Sequence, residues 1–379
     1  MKLRNKWIIC ILCVMMSALF VSLPVKADNY KTLKRAAIDT RVKVENHQER
    51  LSVKFKSKSA DYMKLIDKFF EYLYEDNNNH NQGDYMKWGV SSRKITYISR
   101  TKDANDKNYK YIMDFEMSYL MTKKQSDKVN SKAADVLSKF NFTSATTDYQ
   151  KIKKIYDYVC SNVEYSSSSK NDIVYTSYSA LVEKNAVCQG YALLIYKMCR
   201  MSGLKCRLIS GTANNGKMTD THGWNIVKIG KYYYNLDATW DSQRLQHNVG
   251  YAYFLKSDGF NNHYRDDALK TYKFYKKHPM AAADYGTNAG YSIKSQKAIF
   301  KYKKPKLAKS GKKYVKIKNV KDANSYEFKY SKYPTMRKAK TKLTKKNKVK
   351  INNRRYVKVR AIKIIGGKSV KSQWTTKKI

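Results

Sequence analysis

The sequence predicts an α+β protein, because stretches with helical periodicity and stretches with strand alternation both occur along the chain, and the C-terminal part shows strand patterns alone. Its 379 residues suffice for two or three domains, and 42% hydrophobic with 13% aromatic residues is too much for a disordered polycation. The third observation is charge: 77 basic residues against 30 acidic residues give a net charge of +47. We therefore expect a folded protein that carries a strong positive field.

The charge is concentrated near the C-terminal end. Residues 301–379 hold 29 basic and two acidic residues, a net charge of +27, whereas residues 28–300 hold 44 basic and 28 acidic residues. Short alternating strands separated by Lys, Asn and Gly turns predict a small basic β-sandwich over 303–379. Its lysines are either a solvated outer face or a surface for polyanions, such as an anionic cell-wall polymer or a membrane surface. No recognisable nucleic-acid-binding module is present, so we expect no nucleic-acid partner.

The first 27 residues have the pattern of a secretory signal peptide. A basic start with Lys2 and Arg4 precedes an apolar run from Trp7 to Leu23, and Ala27 ends a small-residue cleavage site. An uncleaved membrane anchor is the alternative, but a run of about 17 residues is short for a membrane span. We therefore expect secretion, with a mature chain that begins near residue 28.

Residues 28–127 are predicted to form an N-terminal α/β region. Helical spacing of apolar residues predicts a helix over 60–74, and alternation predicts strands at 94–98 and 111–115. The run 76–83 is polar and predicts a loop. This region shows no pattern that indicates chemistry.

Residues 128–290 are predicted to form the catalytic domain. Two amphipathic helices within 128–165 lead to a short helix over 177–184 and then to a longer apolar helix that Cys188 opens. Three strands follow, at 206–213, 223–229 and 232–237. The last two strands are separated by Gly230 and Lys231, a strong hairpin signal.

Three residues of this domain form a candidate nucleophilic site. Cys188 lies in the first turn of a helix, where the helix dipole and free backbone N–H groups stabilise a thiolate. His222 is the candidate base, and Asp237 is the residue that would orient it. If residues 230 and 231 form a two-residue loop, Asp237 becomes a diagonal neighbour of His222 on the same face of the hairpin, with Cβ atoms roughly 7 Å apart. A three-residue loop would place them on opposite faces.

Each residue also has a structural interpretation. A cysteine in a helix is often buried packing, and the candidate aspartate could simply end a strand. The other histidines compete for the role of base: His47, His80, His247, His263 and His278. Of these, His263 lies in a polar segment with no visible orienting partner, which makes it a weaker candidate than His222.

The motifs around these residues resemble a known family. The segments Val187-Cys-Gln-Gly-Tyr-Ala192, Thr221-His-Gly-Trp-Asn-Ile-Val227 and Tyr234-Asn-Leu-Asp-Ala-Thr-Trp-Asp241 are similar to three blocks of the bacterial transglutaminase-like superfamily. The resemblance covers about residues 130–285 and implies a papain-like fold. It also implies that Cys188 is the nucleophile, His222 the general base and acid, and Asp237 the third member of a catalytic triad.

The tail resembles the fibronectin type III-like, immunoglobulin-like modules of exported Gram-positive proteins. Together the resemblances imply a secreted, cell-wall-associated thiol enzyme that acts on protein or peptide amides through a cysteine thioester, as a transamidase or as an amidase or peptidase. A backbone N–H of Cys188 would stabilise the oxyanion, with Tyr178 or Gln189 as a second donor. No calcium loop is present, and the four cysteines that remain after cleavage of the signal peptide form no C-x-x-C pair, so we expect no cofactor and no metal. The alternative is a non-enzymatic surface adhesion or scaffold protein that uses this domain for binding.

Overall fold

The computed structural model describes residues 30–102, 106–167, 171–216, 218–246, 250–286, 293–311, 313–365 and 368–379. The predicted signal peptide, residues 1–27, and His247 lie outside these ranges. Within the described residues, no helix has both the length and the hydrophobicity that a bilayer span requires. The chain divides into two compact units, one formed by residues up to 75 with 90–118, the other by 76–89 with 119–379.

The first unit is a four-stranded sheet with two helices, in the strand order β1-β2-β4-β3. Alternate residues of β2 are buried, as expected for a strand with one face on a core, and Phe55, Phe69 and Phe115 are among the most deeply buried side chains. The predicted helix at 60–74 is present. The elements are β1 (Lys31–Thr32), α1 (Leu33–Glu45), β2 (Arg50–Ser57), α2 (Tyr62–Leu73), β3 (Val90–Lys102) and β4 (Tyr109–Tyr119).

The second unit contains the segment predicted to be catalytic, joined by residues 76–89 from the N-terminal region. The predicted short helix at 177–184 is a π-helical turn, Ser179–Glu183, which ends at Lys184 in the left-handed conformation, with φ 65°. The helices are α3 (Asp84–Gly89), α4 (Lys123–Ser138), α5 (Asp148–Asn162), α6 (Cys188–Met201), α7 (Ala238–Gln246), α8 (Tyr272–Lys277) and α9 (Ile293–Lys301), with 3₁₀ turns at Asp172–Tyr175 and Asp267–Lys270.

Helix α6 runs through the core of this unit. Every residue from Gly190 to Arg200 is buried, because α5 and a sheet both pack against the helix. The sheet has the order β10-β7-β8-β9, and a two-stranded pair, β5-β6, precedes α6. The strands are β5 (Glu164–Tyr165), β6 (Asn185–Ala186), β7 (Cys206–Asn214), β8 (Thr219–Ile229), β9 (Tyr232–Leu236) and β10 (His263–Arg265).

The hairpin of β8 and β9 has the predicted register. Ile229 pairs with Tyr232, so the loop contains two residues, and the pairing continues to Asn225 and Leu236. The strand ends one residue earlier than predicted, because Asp237 caps the next helix: its Oδ1 accepts hydrogen bonds from the backbone N–H groups of Thr239 and Trp240. Asp237 thus stands at a strand-to-helix junction that fixes its side chain.

The C-terminal part of the second unit is rich in β-strands. One sheet has the order β11-β12-β15, and the other has the order β14-β13-β16-β17, with β18 also paired to β16. Their shared core contains Val315, Phe328 and Val359, and Phe300 of α9 joins it. The strands are β11 (Leu307–Ser310), β12 (Tyr314–Ile317), β13 (Ser325–Ser331), β14 (Lys340–Thr344), β15 (Lys348–Lys350), β16 (Tyr356–Ile365), β17 (Lys368–Lys371) and β18 (Thr375–Lys378).

Candidate functional site

Cys188 is the first residue of α6, as predicted. Strand β6 immediately before it pairs in parallel with β5, and the backbone N–H of Val187 donates to the Val174 carbonyl at 3.0 Å. These contacts fix the start of the helix. The thiol therefore lies beside the unsatisfied N–H groups and the positive end of the helix dipole. Cys188 is partly exposed, whereas Cys160, Cys199 and Cys206 are buried.

His222 and Asp237 are in direct contact. The Nε2 atom of His222 lies 2.9 Å from Oδ2 of Asp237, and the two side chains are only 8% and 1% exposed. The backbone of Asp237 is also anchored, because its carbonyl accepts a hydrogen bond from the Tyr156 hydroxyl at 2.7 Å. A buried carboxylate that accepts the Nε2 proton holds the imidazole in one orientation and stabilises its protonated form.

The electrostatics of the pair follow from this contact. Burial works to lower the pKa of His222, but the charge and hydrogen bond of Asp237, together with the Cys188 side chain, raise the pKa to about 10. For Asp237, burial works to raise the pKa, and the charge of His222 with hydrogen bonds from His222 and His263 lowers it below its ordinary value. His222 is therefore protonated and Asp237 ionised at neutral pH.

Cys188 is the third residue of the arrangement. Its side chain is within hydrogen-bonding reach of His222. Because Nε2 of His222 is occupied by Asp237, Nδ1 is the atom left to exchange a proton with the thiol. The three predicted residues thus meet in the order Cys188, His222, Asp237, with the imidazole in the middle.

The structure contradicts the prediction that His263 lacks an orienting partner. This histidine was expected in a polar segment without an orienting partner, but it is the first residue of strand β10 and its side chain is fully buried. Its Nε2 atom lies 3.1 Å from the same Oδ2 of Asp237 that binds His222. The sequence does not predict this contact, because the two partners are 26 positions apart and the strand that brings them together has only three residues.

A glycine allows strand β10 to approach. Gly211 of β7 pairs with Arg265, and a Cβ atom at position 211 would lie far inside van der Waals contact with the Tyr264 carbonyl oxygen. Any larger residue would push β10 away from β7. Gly211 is therefore the sequence signal that a strand packs closely there and carries His263 to Asp237.

The segment 76–89 also reaches the site, although the sequence showed no chemistry in that region. The Trp88 ring lies against Gly223, where a Cβ atom would approach its Cζ3 to 2.9 Å. The carbonyl of Trp88 accepts a hydrogen bond from Gln189 Nε2 at 3.2 Å. The Gln189 amide, one of the two predicted additional oxyanion donors, is therefore directed at the backbone of this segment.

A cavity of about 490 Å³ opens beside His222. Three aromatic residues, Tyr165, Trp240 and Tyr253, line it together with Arg244 and several side-chain amides. The negative charge of Cys188 contributes to raising the pKa of Tyr165, after the larger effect of burial, so the thiol lies near this wall as well. A cavity of this size is enough for a peptide side chain or a short segment of peptide.

His222, Asp237 and His263 are also the kind of residues that bind metal ions, and their ligand atoms lie within 4.8 Å of one another. Both Nε2 atoms, however, lie at hydrogen-bond distance from Oδ2 of Asp237. Both ring nitrogens are thus directed at that oxygen and not at a point between the three residues. The cluster therefore suits hydrogen bonding better than metal binding.

The part of the chain that carries the site is similar to known proteins. The family model of the transglutaminase-like superfamily matches residues 138–238, a stretch that contains Cys188, His222 and Asp237. The kyphoscoliosis peptidase of Homo sapiens is 28% identical over 109 residues, which are 26% of this chain and 16% of that protein. The chain thus matches about a sixth of the length of that relative. Residues 138–238, about a quarter of the chain, are therefore similar to the transglutaminase-like superfamily.

Two solved structures are similar to parts of the chain. One is a transglutaminase, 14% identical with a TM-score of 0.27, where the match covers 39% of this chain and 44% of that one. The other is a candidate cysteine protease from Cytophaga hutchinsonii, 20% identical with a TM-score of 0.25, where the match covers 40% of this chain and 65% of that one.

Proposed function

We propose that this protein is a thiol enzyme that cleaves or transfers amide groups through a thioester on Cys188. The observation that carries the proposal is the position of His222, bonded at 2.9 Å to a buried carboxylate and within reach of a partly exposed thiol at a helix N-terminus. This is the arrangement that nucleophilic catalysis by cysteine requires. A protein that only binds a partner needs none of these three features.

The chemistry proceeds in two balanced steps. The Cys188 thiolate attacks the amide carbonyl, the C–S bond forms, and His222 gives its Nδ1 proton to the nitrogen as the C–N bond breaks. An acceptor then attacks the thioester, His222 takes the acceptor's proton, and the C–S bond breaks to restore the thiolate. Backbone N–H groups at the start of α6 stabilise the oxyanion in both steps.

The acceptor decides the class of the reaction. With water the enzyme is an amidase or peptidase, and with a lysine amine it is a transglutaminase-like transamidase. Mass spectrometry of a glutamine-containing peptide pool, incubated with and without a primary amine, distinguishes them. A gain of about 1 Da at glutamine or a cut peptide bond shows hydrolysis, and an amine adduct shows transfer.

The competing function is a non-enzymatic adhesion or scaffold protein, and the reactivity of Cys188 tests it. An unactivated thiol, with a pKa of about 8.5, is largely unreactive at pH 6. We expect iodoacetamide to label Cys188 at pH 6 in the folded protein and the labelling to fall strongly in His222→Ala. Equal labelling of both proteins at the slow rate of a free thiol would favour the scaffold function.

We further propose that the enzyme is secreted and retained at an anionic cell envelope. The signal-peptide pattern of residues 1–27 supports export. The C-terminal region supports retention: its two acidic residues, Asp322 and Glu327, each lie within 4.0 Å of two basic side chains, and 25 further basic residues have no acidic counterpart in residues 301–379. Such a surface attracts polyanions.

The retention proposal predicts salt-sensitive binding. The full mature chain should bind isolated Gram-positive walls at low salt and be released as the ionic strength rises, because the attraction is screened. A variant in which Lys340, Lys342, Lys345 and Lys346 are replaced by Gln should bind more weakly, and a variant with four lysines of the first unit replaced is the matched control. Equal binding by both variants would overturn the proposed role of this region.

A further inference from the structure

The buried histidine His263 has two hydrogen-bond partners, and both are oxygen acceptors. Its Nδ1 atom lies 2.9 Å from the Asn261 carbonyl oxygen, and its Nε2 atom lies 3.1 Å from Oδ2 of Asp237. Neither oxygen can donate. Both contacts are hydrogen bonds only if each ring nitrogen carries a proton, so the arrangement fits an imidazolium ion and neither neutral tautomer.

Four aromatic rings surround this imidazole. Phe260 stacks on it at a centroid distance of 3.8 Å, and Trp240, Trp224 and Tyr253 lie at 4.6, 5.1 and 5.7 Å. Aromatic faces stabilise a cation, and several rings around one charge form the kind of cage that binds organic cations. A neutral polar ring buried here would gain much less from the same neighbours.

The titratable groups that face His263 come from three elements. Asp237 follows β9, His222 is on β8 with ring centroids 5.4 Å apart, and Tyr253 lies in the segment after α7. Among the described residues in contact with its ring, Asp237 therefore supplies the negative charge. One buried carboxylate serves two histidines.

We propose that His263 is a positioning residue of the active site: a caged imidazolium that fixes the Asp237 carboxylate and shares its charge with His222. The effect on His222 follows from Coulomb's law. A second cation beside the carboxylate offsets part of its negative charge, so Asp237 stabilises protonated His222 less. The pKa of His222 is then lower, and His222 releases its proton to the leaving nitrogen more readily. His263 lies outside the matched residues 138–238 and touches no reacting atom in this arrangement.

Two substitutions separate the charge of His263 from its hydrogen bond. His263→Gln keeps a neutral N–H donor toward Asp237 and removes the cation, whereas His263→Phe removes both and keeps an aromatic ring in the cage. In both variants we expect the alkaline limb of the pH profile of kcat/KM to move upward by about one pH unit, because one neighbouring charge is lost. We expect kcat to fall about tenfold in His263→Gln and about a hundredfold in His263→Phe.

The matched control is His278→Gln. His278 is also buried and packed against aromatic rings, and its Nε2 lies 2.8 Å from Nη1 of Arg207, but none of its hydrogen bonds involves Asp237. If His263 had only a structural role, its variants would lose thermal stability, as we expect for this control, with no shift of the alkaline limb.

The kinetic readout rests on the proposed function, so the deciding experiment does not use turnover. The full mature chain is labelled with ¹⁵N-histidine, and NMR records the protonation of each ring nitrogen from pH 5 to pH 10. We expect both His263 nitrogens to be protonated at pH 7, and the titration of His222 to move upward in His263→Gln. A neutral His263 tautomer at pH 7, or an unchanged His222 titration in that variant, would overturn the inference. An enzyme that turned over no amide, with these spectra as expected, would instead overturn the proposed function.

Discussion

The substitution Asp237→Asn is a sharp test of the site, because both oxygen atoms of the carboxylate accept hydrogen bonds. Oδ1 accepts hydrogen bonds from the backbone N–H groups of Thr239 and Trp240, and Oδ2 accepts hydrogen bonds from the ring N–H groups of His222 and His263. An asparagine can keep the first pair of bonds. Its amide NH₂ then replaces Oδ2 and meets two N–H donors, so both bonds to the histidines are lost.

The magnitude follows from those two bonds. A hydrogen bond to a charged group contributes about 1.5–3 kcal/mol, so two contribute about 3–6 kcal/mol. If most of this is lost from the transition state, kcat/KM falls by about two to four orders of magnitude. Without the carboxylate, burial dominates the pKa of His222 and lowers it, so iodoacetamide labelling of Cys188 at pH 6 should also fall.

The assay compares Asp237→Asn with Asp220→Asn, which removes a carboxylate from an exposed residue of the same strand, β8, that carries His222. Amide turnover, labelling of Cys188 and Tm are measured for both. We expect amide turnover and labelling of Cys188 to be almost lost in Asp237→Asn and to remain near wild-type values in Asp220→Asn. A folded Asp237→Asn protein with the wild-type rate would refute the role of Asp237 and assign the orientation of His222 to another group.

Three further predictions address the surroundings of the site. The Asp237–His222 pair should stabilise the fold most between pH 3.8 and pH 6.5, the ordinary pKa values of the two groups. This stabilisation is lost as the pH rises through the raised pKa of His222, about 10, and as the pH falls through the lowered pKa of Asp237. The urea midpoint of unfolding should therefore drop at both extremes of pH, and in Asp237→Asn it should depend less on pH. Gly211→Ala should displace β10 and lower both Tm and turnover, while Gly250→Ala, where a Cβ meets no atom within 4 Å, should change neither. Gln189→Ala should reduce kcat less than about tenfold, because its amide donates to the Trp88 carbonyl; a loss of a hundredfold or more, typical of an oxyanion donor, would contradict that geometry.

The hairpin shows how far local sequence rules reach into the site. Alternation and a two-residue turn signal were enough to predict the register of β8 and β9 and, from it, the contact of His222 with Asp237. Both residues lie on one supersecondary element, so their spacing is fixed by the period of a strand. The start of α6 at Cys188 was likewise predictable from the apolar helix that follows it.

His263 and Trp88 were missed for a common physical reason. Each reaches the site through a contact between segments far apart in the chain, at His263 across the close approach of β10 to Gly211 and at Trp88 across the packing on Gly223. Sequence spacing carries no information about such contacts. In each case a glycine lies where another segment packs closely, but a glycine in the sequence does not indicate which segment that is.

The proposed reaction passes an acyl group through Cys188, and a trapped acyl-enzyme would show this step. The protein is mixed with a peptide amide pool, quenched in acid within its first turnovers, digested, and analysed by mass spectrometry with and without hydroxylamine, which cleaves thioesters. We predict an acyl adduct on the peptide that contains Cys188, removed by hydroxylamine and absent from Cys188→Ala, which should also show no turnover. Amide turnover by Cys188→Ala, or an acyl adduct on a different residue, would contradict the account.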